Sequence, residues 1–170
     1  MKNVKRYFDN KEIVKMNLIL QTYKVLSKIK ENLTDGFSGL GLVAYDSTVF
    51  NPDNHCALRP DIIFPYYNIY NDNICDCLLN ISDYRNTLHD GFHFIDEGGT
   101  LTHVAQYFVP PIVKGLYPDQ EHGVRLFSSL CGSTISGVLF VATICSNGDI
   151  YIYKSGNQVD LRNYLTEEKV

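Results

Sequence analysis

Side chains able to handle a proton, a metal ion or an anion fall mainly at two places in this chain. Leu88-His89-Asp90-Gly91-Phe92-His93-Phe94-Ile95 sets a carboxylate beside an imidazole at a glycine turn that opens an apolar run. Gly123-Val124-Arg125-Leu126-Phe127 sets a single guanidinium at the start of a helical pattern. An aspartate at such a turn can orient a metal ion or assist deprotonation of a hydroxyl, and an arginine offers a planar fork of donors that matches a phosphate. Both have ordinary readings as well. Asp90-Gly91 serves as a plain turn in which the carboxylate accepts from backbone amides, and Arg125 serves equally as a surface salt-bridge partner.

Other constellations carry less. His89 and His93 are joined by His103 and His122 as candidate ligands, but Gly91 and the onset of a strand break any helical spacing, and no Cys-x-x-Cys or His-Glu-x-x-His frame exists. Cys75 and Cys77 read as one helix face. Gly39-Leu40-Gly41-Leu42-Val43-Ala44 formally fits a dinucleotide fingerprint, yet a helix precedes it and a strand contains it, the reverse of what that fingerprint needs. Ser128, Ser129 and Ser133 lack a nucleophile elbow. Tyr66-Tyr67-Asn68-Ile69-Tyr70 can stack a base or face a partner.

The elements that must position these groups follow from period and punctuation. With 170 residues, 45% of them hydrophobic, the chain reads as one domain over 1–160 and a charged tail over 161–170. A helix is expected over 12–33, with Ile13, Met16, Leu20, Tyr23, Leu26 or Ile29 and Leu33 at three- and four-residue steps. Strands are expected at Leu40–Tyr45, Ile62–Phe64, Phe92–Ile95, Leu101–Phe108, Val138–Ile144 and Ile150–Tyr153, and short helices at Ile74–Ile81 and Val124–Cys131. Asp96-Glu97-Gly98-Gly99 and Ser146-Asn147-Gly148-Asp149 are turns of the hairpin kind, and Tyr117-Pro118-Asp119 is a further turn.

Fifteen basic against nineteen acidic residues give a formal charge of −4, which offers no field for a nucleic acid backbone but is compatible with a mononucleotide held in one cleft. Basic residues at the start are not followed by an apolar signal region, and the longest apolar run, 137–144, is far below spanning length, so a cytoplasmic protein with no membrane segment is expected. Five cysteines at irregular spacing fit reduced thiols.

The order of these pieces resembles the diadenylate cyclase domains, the DisA N-terminal superfamily, which condense two ATP into cyclic di-AMP. Gly39-Leu40-Gly41-Leu42-Val43 is similar to that family's Gly-Ala-Leu-Ile-Val strand, Leu78-Leu79-Asn80-Ile81 to its helix with paired leucines, and Leu88-His89-Asp90-Gly91-Phe92 to its Leu-His-Asp-Gly-Ala tract. Gly123-Val124-Arg125-Leu126-Phe127-Ser128-Ser129-Leu130-Cys131-Gly132-Ser133 resembles its Gly-Thr-Arg-His-Arg-Ala-Ala-Leu-Gly-x-Ser. The resemblance implies a single α/β domain, a mixed and largely antiparallel sheet flanked by helices. It also implies a nucleotide cleft drawn from Asp90, Gly91, Phe92, Gly123, Arg125 and Ser133.

In that family the aspartate lies near the ribose hydroxyl and the catalytic metal, a magnesium or manganese ion, and the Arg-His-Arg set grips the triphosphate. Here Leu126 and Phe127 replace two of the three phosphate ligands, and Thr143-Ile144-Cys145 stands where the family has an acidic segment. The expectation is a catalytically silent or altered domain that senses an adenine nucleotide or a cyclic dinucleotide. An active cyclase using Asp90 as its catalytic residue is one alternative. A domain kept for protein association, as a homodimer or with an effector, is the other.

Overall fold

The computed structural model describes residues 10–71, 73–117 and 123–161; the start of the chain, Pro118, Asp119, His122 and the tail beyond Leu161 lie outside the described residues. The leading helix α1 is Asn10–Glu31, shifted two residues toward the N-terminus from the expected span. Its buried stripe is Leu18, Thr22, Val25, Leu26 and Ile29, with Ile19 beside it, whereas Ile13 is 40% exposed. Of the expected line, Leu20, Leu26 and Ile29 are buried and Tyr23 and Leu33 pack partly buried against the core, so only its N-terminal end, at Ile13, departs from the core face. Leu18, Ile19 and Leu20 are consecutive and point around the helix, so periodicity alone leaves the face open and the sheet beneath selects it.

Eight strands form one sheet: β1 (Leu40–Tyr45), β2 (Cys56–Ala57), β3 (Tyr67–Asn68), β4 (Phe92–Ile95), β5 (Thr100–Tyr107), β6 (Val138–Ile144), β7 (Ile150–Lys154) and β8 (Asn157–Gln158). The order is β2-β5-β4-β1-β6-β7-β8, with β3 also on β5. Every pairing is antiparallel except β1 with β4, where Leu42 lies opposite His93 and Val43 opposite Phe94. Two short α-helices follow α1 among the described residues, α2 (Ile74–Ile81) and α3 (Val124–Gly132). This is the expected fold class.

The strand expected at Ile62–Phe64 does not form. The outer edge of β5 is already taken, by Cys56–Ala57 opposite Tyr107 and Gln106 and by Tyr67–Asn68 opposite Leu101 and Thr100. The intervening segment, bracketed by Pro60 and Pro65, loops outward with Ile63 98% exposed.

Strand alternation divides the core in two. Leu40, Leu42 and Ala44 of β1, Ile95 of β4 and Phe140, Ala142 and Ile144 of β6 face α1 and α2. Val43, Tyr45, Phe92, Phe94 and Val141 face the other side with Phe50 and Phe108. Helix α3 covers part of that second face: Ser129 Oγ meets Thr143 Oγ1 at 2.7 Å, and a Cβ at Gly132 would lie 2.4 Å from the Phe108 ring. Each fully buried Leu, Ile or Phe stabilises the fold by about 1.5–3 kcal/mol, which is why both faces, not one, anchor the strands that carry the site.

The ladder between β4 and β5 is irregular. Phe92 pairs with Gln106 but Phe94 pairs with His103, so β5 bulges at Val104 and Ala105 opposite His93. Ala105 sits at φ 49°, and its N–H donates to His93 Nδ1 at 3.1 Å while its carbonyl accepts from Leu58 N at 2.8 Å. The imidazole thereby satisfies a backbone donor that the ladder leaves unpaired.

Candidate functional site

Parallel pairing of β1 and β4 brings their N-terminal ends side by side, so Ser38-Gly39 and Asp90-Gly91 enter the sheet at the same edge. Gly91 is required there twice over. Its φ is +79°, and a Cβ would lie 2.4 Å from the Gln106 carbonyl oxygen, which is backbone and has no room to yield. Asp90, just before it, projects outward with its side chain 58% exposed, and His89 Nε2 lies 3.3 Å from Asp90 Oδ1. His89 Nδ1 is 2.7 Å from the Asn86 carbonyl, which fixes the ring and makes Nδ1–H the donor.

Arg125 approaches from the first turn of α3. Its Nη1 donates to the Ser38 carbonyl at 3.1 Å and lies over Gly39, where a Cβ would be only 2.6 Å away. Burial works against the guanidinium charge, and the Asp90 carboxylate, followed by Cys145, offsets that cost. Asp90 and Arg125 therefore share one field without closing an ion pair. Ser38 is tied in turn to the loop that carries Asp90, because both its N–H and its hydroxyl donate to the Ser82 carbonyl, at 2.9 and 2.8 Å.

The remaining site candidates are distributed. Gly123 is the exposed N-cap of α3, with no side-chain cap bond. Phe92 is 5% exposed; its ring lies on Gly41, where a Cβ would be 2.5 Å from Cδ1, and meets Phe108 edge-on at 5.2 Å. The parallel register of β1 and β4 sets Phe92 over Gly41, so the space left by the missing side chain at Gly41 is the space that the Phe92 ring fills. Ser133 caps the far end of α3, about 12 Å along the axis from Arg125. Its hydroxyl donates to the Leu130 carbonyl and accepts from Gly156 N at 2.9 Å.

Leu126 is 4% exposed and packs with Leu130 and Tyr153, and Phe127 stacks on Tyr117 at 6.5 Å between centroids. At the end of β6, Thr143 is buried on Ser129, and burial with the nearby Asp149 raises the Cys145 thiol, against which Arg125 works. A divalent ion needs several oxygen ligands. Asp90 alone faces the cleft from its strand, the β6 end supplies a hydroxyl already engaged and a protonated thiol, and no three His, Cys, Asp or Glu side chains gather among the described residues. The residues present do not fit a magnesium or manganese site of the cyclase kind.

His93 and His103, of the other histidine candidates, do not join Asp90. His93 is buried behind the sheet, its pKa pushed down to about 3 by burial and then by the Arg125 charge, and His103 Nε2 meets Asp53 Oδ1 at 3.2 Å. Cys75 and Cys77 do not converge with a histidine, and burial pushes the Cys77 thiol up to about 11. Tyr66 is 80% exposed and Tyr70 51%, beside the β4–β5 turn. A cleft of about 500 Å³ is lined by Thr34, Asp76, Leu79, Asn80, Asp83, Arg85 and Asn86 and does not include Asp90.

Ser38 carries no site-forming signature in the sequence. Gly39 leaves a trace, as the glycine of the matching strand motif. No protein-family profile and no curated protein matches the chain. Solved structures do. A cysteine double mutant of DacA from Staphylococcus aureus, a diadenylate cyclase, aligns with a TM-score of 0.57 and 19% identity over 89% of this chain and 91% of that one. A hypothetical membrane-spanning protein from Bacillus cereus aligns with a TM-score of 0.55 and 15% identity over 84% of this chain, which spans 63% of that chain's length. Among the described residues no helix is long and apolar enough to cross a membrane. The chain has the diadenylate cyclase fold.

Proposed function

We propose that this domain binds an adenine nucleotide or a cyclic dinucleotide without turning it over, and acts as a sensor. Arg125 carries the reading. Its guanidinium is largely buried, its one hydrogen bond among the described residues goes to a neutral carbonyl, and it shares a field with Asp90 across the edge of the sheet. Donors left over on a buried cation favour an anionic partner, and the exposed Asp90 oxygens are placed to accept from a ribose hydroxyl.

Catalysis is disfavoured by what surrounds that pair. Leu126 and Phe127 are committed to packing, so neither position presents a phosphate ligand. Two missing charge-assisted contacts cost about 1.5–3 kcal/mol each, enough together to slow a phosphoryl transfer by two to four orders of magnitude. A ligand with little phosphate charge fits one cation better than a triphosphate does.

Calorimetry with AMP, ATP and cyclic di-AMP tests the binding, and mass spectrometry after incubation with ATP and Mn²⁺ tests for turnover. The expected result is binding of at least one nucleotide, weakened roughly 10- to 100-fold in Arg125→Ala, with ATP unconverted. A linked dinucleotide product that disappears in Asp90→Asn makes the chain an enzyme and overturns the sensor reading. Binding of none of the three removes the nucleotide and leaves protein association.

A further inference from the structure

The imidazole beside Asp90 is held in one tautomer and one place by the loop that carries it. His89 Nδ1 lies 2.7 Å from the Asn86 carbonyl, which can only accept, so the hydrogen of the neutral ring sits on Nδ1 and Nε2 presents a lone pair. Asn86 is itself fixed. Its N–H donates to the Asp83 carbonyl at 2.8 Å, its side-chain amide donates to Asn80 Oδ1 at 2.7 Å, and its Oδ1 accepts from Leu88 N at 2.9 Å. Leu88, next to the imidazole, anchors the loop in the core.

His89 Nε2 lies 3.3 Å from Asp90 Oδ1, and with the ring neutral both atoms are acceptors. Among the described residues no group donates a hydrogen bond to either. Asp83, the other carboxylate of this loop, is spent on Arg85, whose Nε donates to it at 2.7 Å. The two acceptors stay within reach from outside, their side chains being 25% and 58% exposed. Water can supply hydrogens to such a pair, but a ligand with two adjacent donors supplies both in one fixed geometry and loses less freedom in doing so.

We infer that His89 Nε2 and Asp90 Oδ1 together read the vicinal diol of a ribose, one hydroxyl donating to each, and that the ligand is a nucleoside monophosphate with both of those hydroxyls free. The inference rests on the nucleotide reading and narrows it. In a cyclic dinucleotide joined through its 3′ oxygens, one hydroxyl of each ribose is esterified and its hydrogen is gone, which leaves one of the two acceptors unpaired. A site built to hydrogen-bond a hydroxyl rejects the analogue that lacks it for that reason. A nucleoside 5′-monophosphate carries its diol and its anion at opposite ends of the sugar, matching an acceptor pair on one loop and the Arg125 guanidinium on α3.

The test is calorimetry on the full chain at about pH 8, on the neutral side of histidine's ordinary range, with AMP, 2′-deoxy-AMP, 3′-deoxy-AMP and cyclic di-AMP. AMP is expected to bind tightest, with each deoxy form and cyclic di-AMP weaker by roughly tenfold. His89→Phe, its fold verified by the amide spectrum, should weaken AMP by a similar factor yet leave unchanged the deoxy form that lacks the hydroxyl His89 reads. His89→Gln keeps an acceptor and should restore part of the loss. The analogue series needs no variant, so it decides the matter even where His89→Phe does not fold. Equal binding of AMP and both deoxy forms, or an equal loss for every ligand in His89→Phe, overturns the inference while the nucleotide reading stands. Loss of AMP binding in EDTA, which would place an ion and not a diol at the two atoms, overturns it as well. Binding of no nucleotide overturns both.

Discussion

Replacing His93 with glutamine should abolish much of the stability loss that the domain undergoes in mild acid. The imidazole is 1% exposed, and burial together with the charge of Arg125 lowers its pKa from 6.5 to about 3. Its Nδ1 accepts from Ala105 N–H, a bond that requires the unprotonated atom. An unfolded chain takes up this proton near 6.5, and the folded chain holds it off until about 3. Between those values the unfolded state binds more protons, so stability is full above the window and falls as pH falls through it. Each pH unit inside the window costs about 1.4 kcal/mol, so descent to about pH 4.5 removes on the order of 2.5 kcal/mol, a large share of a total of about 5–15 kcal/mol. His55, whose pKa is also lowered by burial, acts in the same direction. Asp83, held down to about 2 by its bonds from Arg85, keeps its contribution above its ordinary 3.8 and loses it only as pH falls below that, outside the window of the assay. Glutamine does not titrate, and its side-chain oxygen can still accept from Ala105. Urea denaturation at steps from about pH 7.5 to 4.5 should give a clearly flatter stability profile for His93→Gln than for the native chain. Parallel profiles, or an imidazole of His93 seen by NMR to titrate near its ordinary 6.5, would refute the reasoning.

Gly91→Ala should cost about 1–3 kcal/mol or more in urea denaturation, because the residue combines a positive φ with contact against the Gln106 carbonyl, and an unchanged midpoint would contradict that geometry. Phe92→Ala should cost about 3–5 kcal/mol through the cavity it leaves over Gly41. Gly41→Leu alone should also destabilise, whereas the two together should recover much of the loss in a double-mutant cycle; simple additivity would show that the residues do not share one space. With iodoacetamide, mass spectrometry should find exposed Cys56 labelled first and Cys77, whose pKa burial raises to about 11, well behind it. Equal rates would contradict the placement of α2.

Legibility in the sequence depends on how local the cause of each feature is. β1, α2, β4 and β6 have the bounds expected of them because glycine turns or polar loops set off each apolar run. The buried face of α1 keeps Leu20, Leu26 and Ile29 of the expected line but widens to Leu18, Ile19, Thr22 and Val25, because apolar residues in succession leave no single stripe and packing on β6 and α2 decides the rest. β2 and β3, two residues each, exist to close the bulged edge of β5, a non-local cause invisible in Cys56-Ala57 or Tyr67-Asn68. At the site, Asp90-Gly91 and Arg125 are legible from residue type and order. The Ser38 carbonyl that receives Arg125 lies 87 residues away and belongs to the backbone, which carries no signature in sequence. The fit of Phe92 over Gly41 emerges only when strand register sets one over the other.

The lone parallel pairing governs when the site is born as well as where it lies. Leu42 and His93 must meet across 51 residues, as their numbers give, and no hairpin can bring them together. Such a contact follows the closure of a long loop, whose entropy is spent before the pairing returns anything, so it belongs to the slow, late part of folding. The hairpins β4–β5 and β6–β7 can zip locally without it. In a refolding chain, secondary structure should therefore recover ahead of the contact between Arg125 and the Ser38 carbonyl, and a nascent chain released before α3 would hold Asp90 with no Arg125 to share its field.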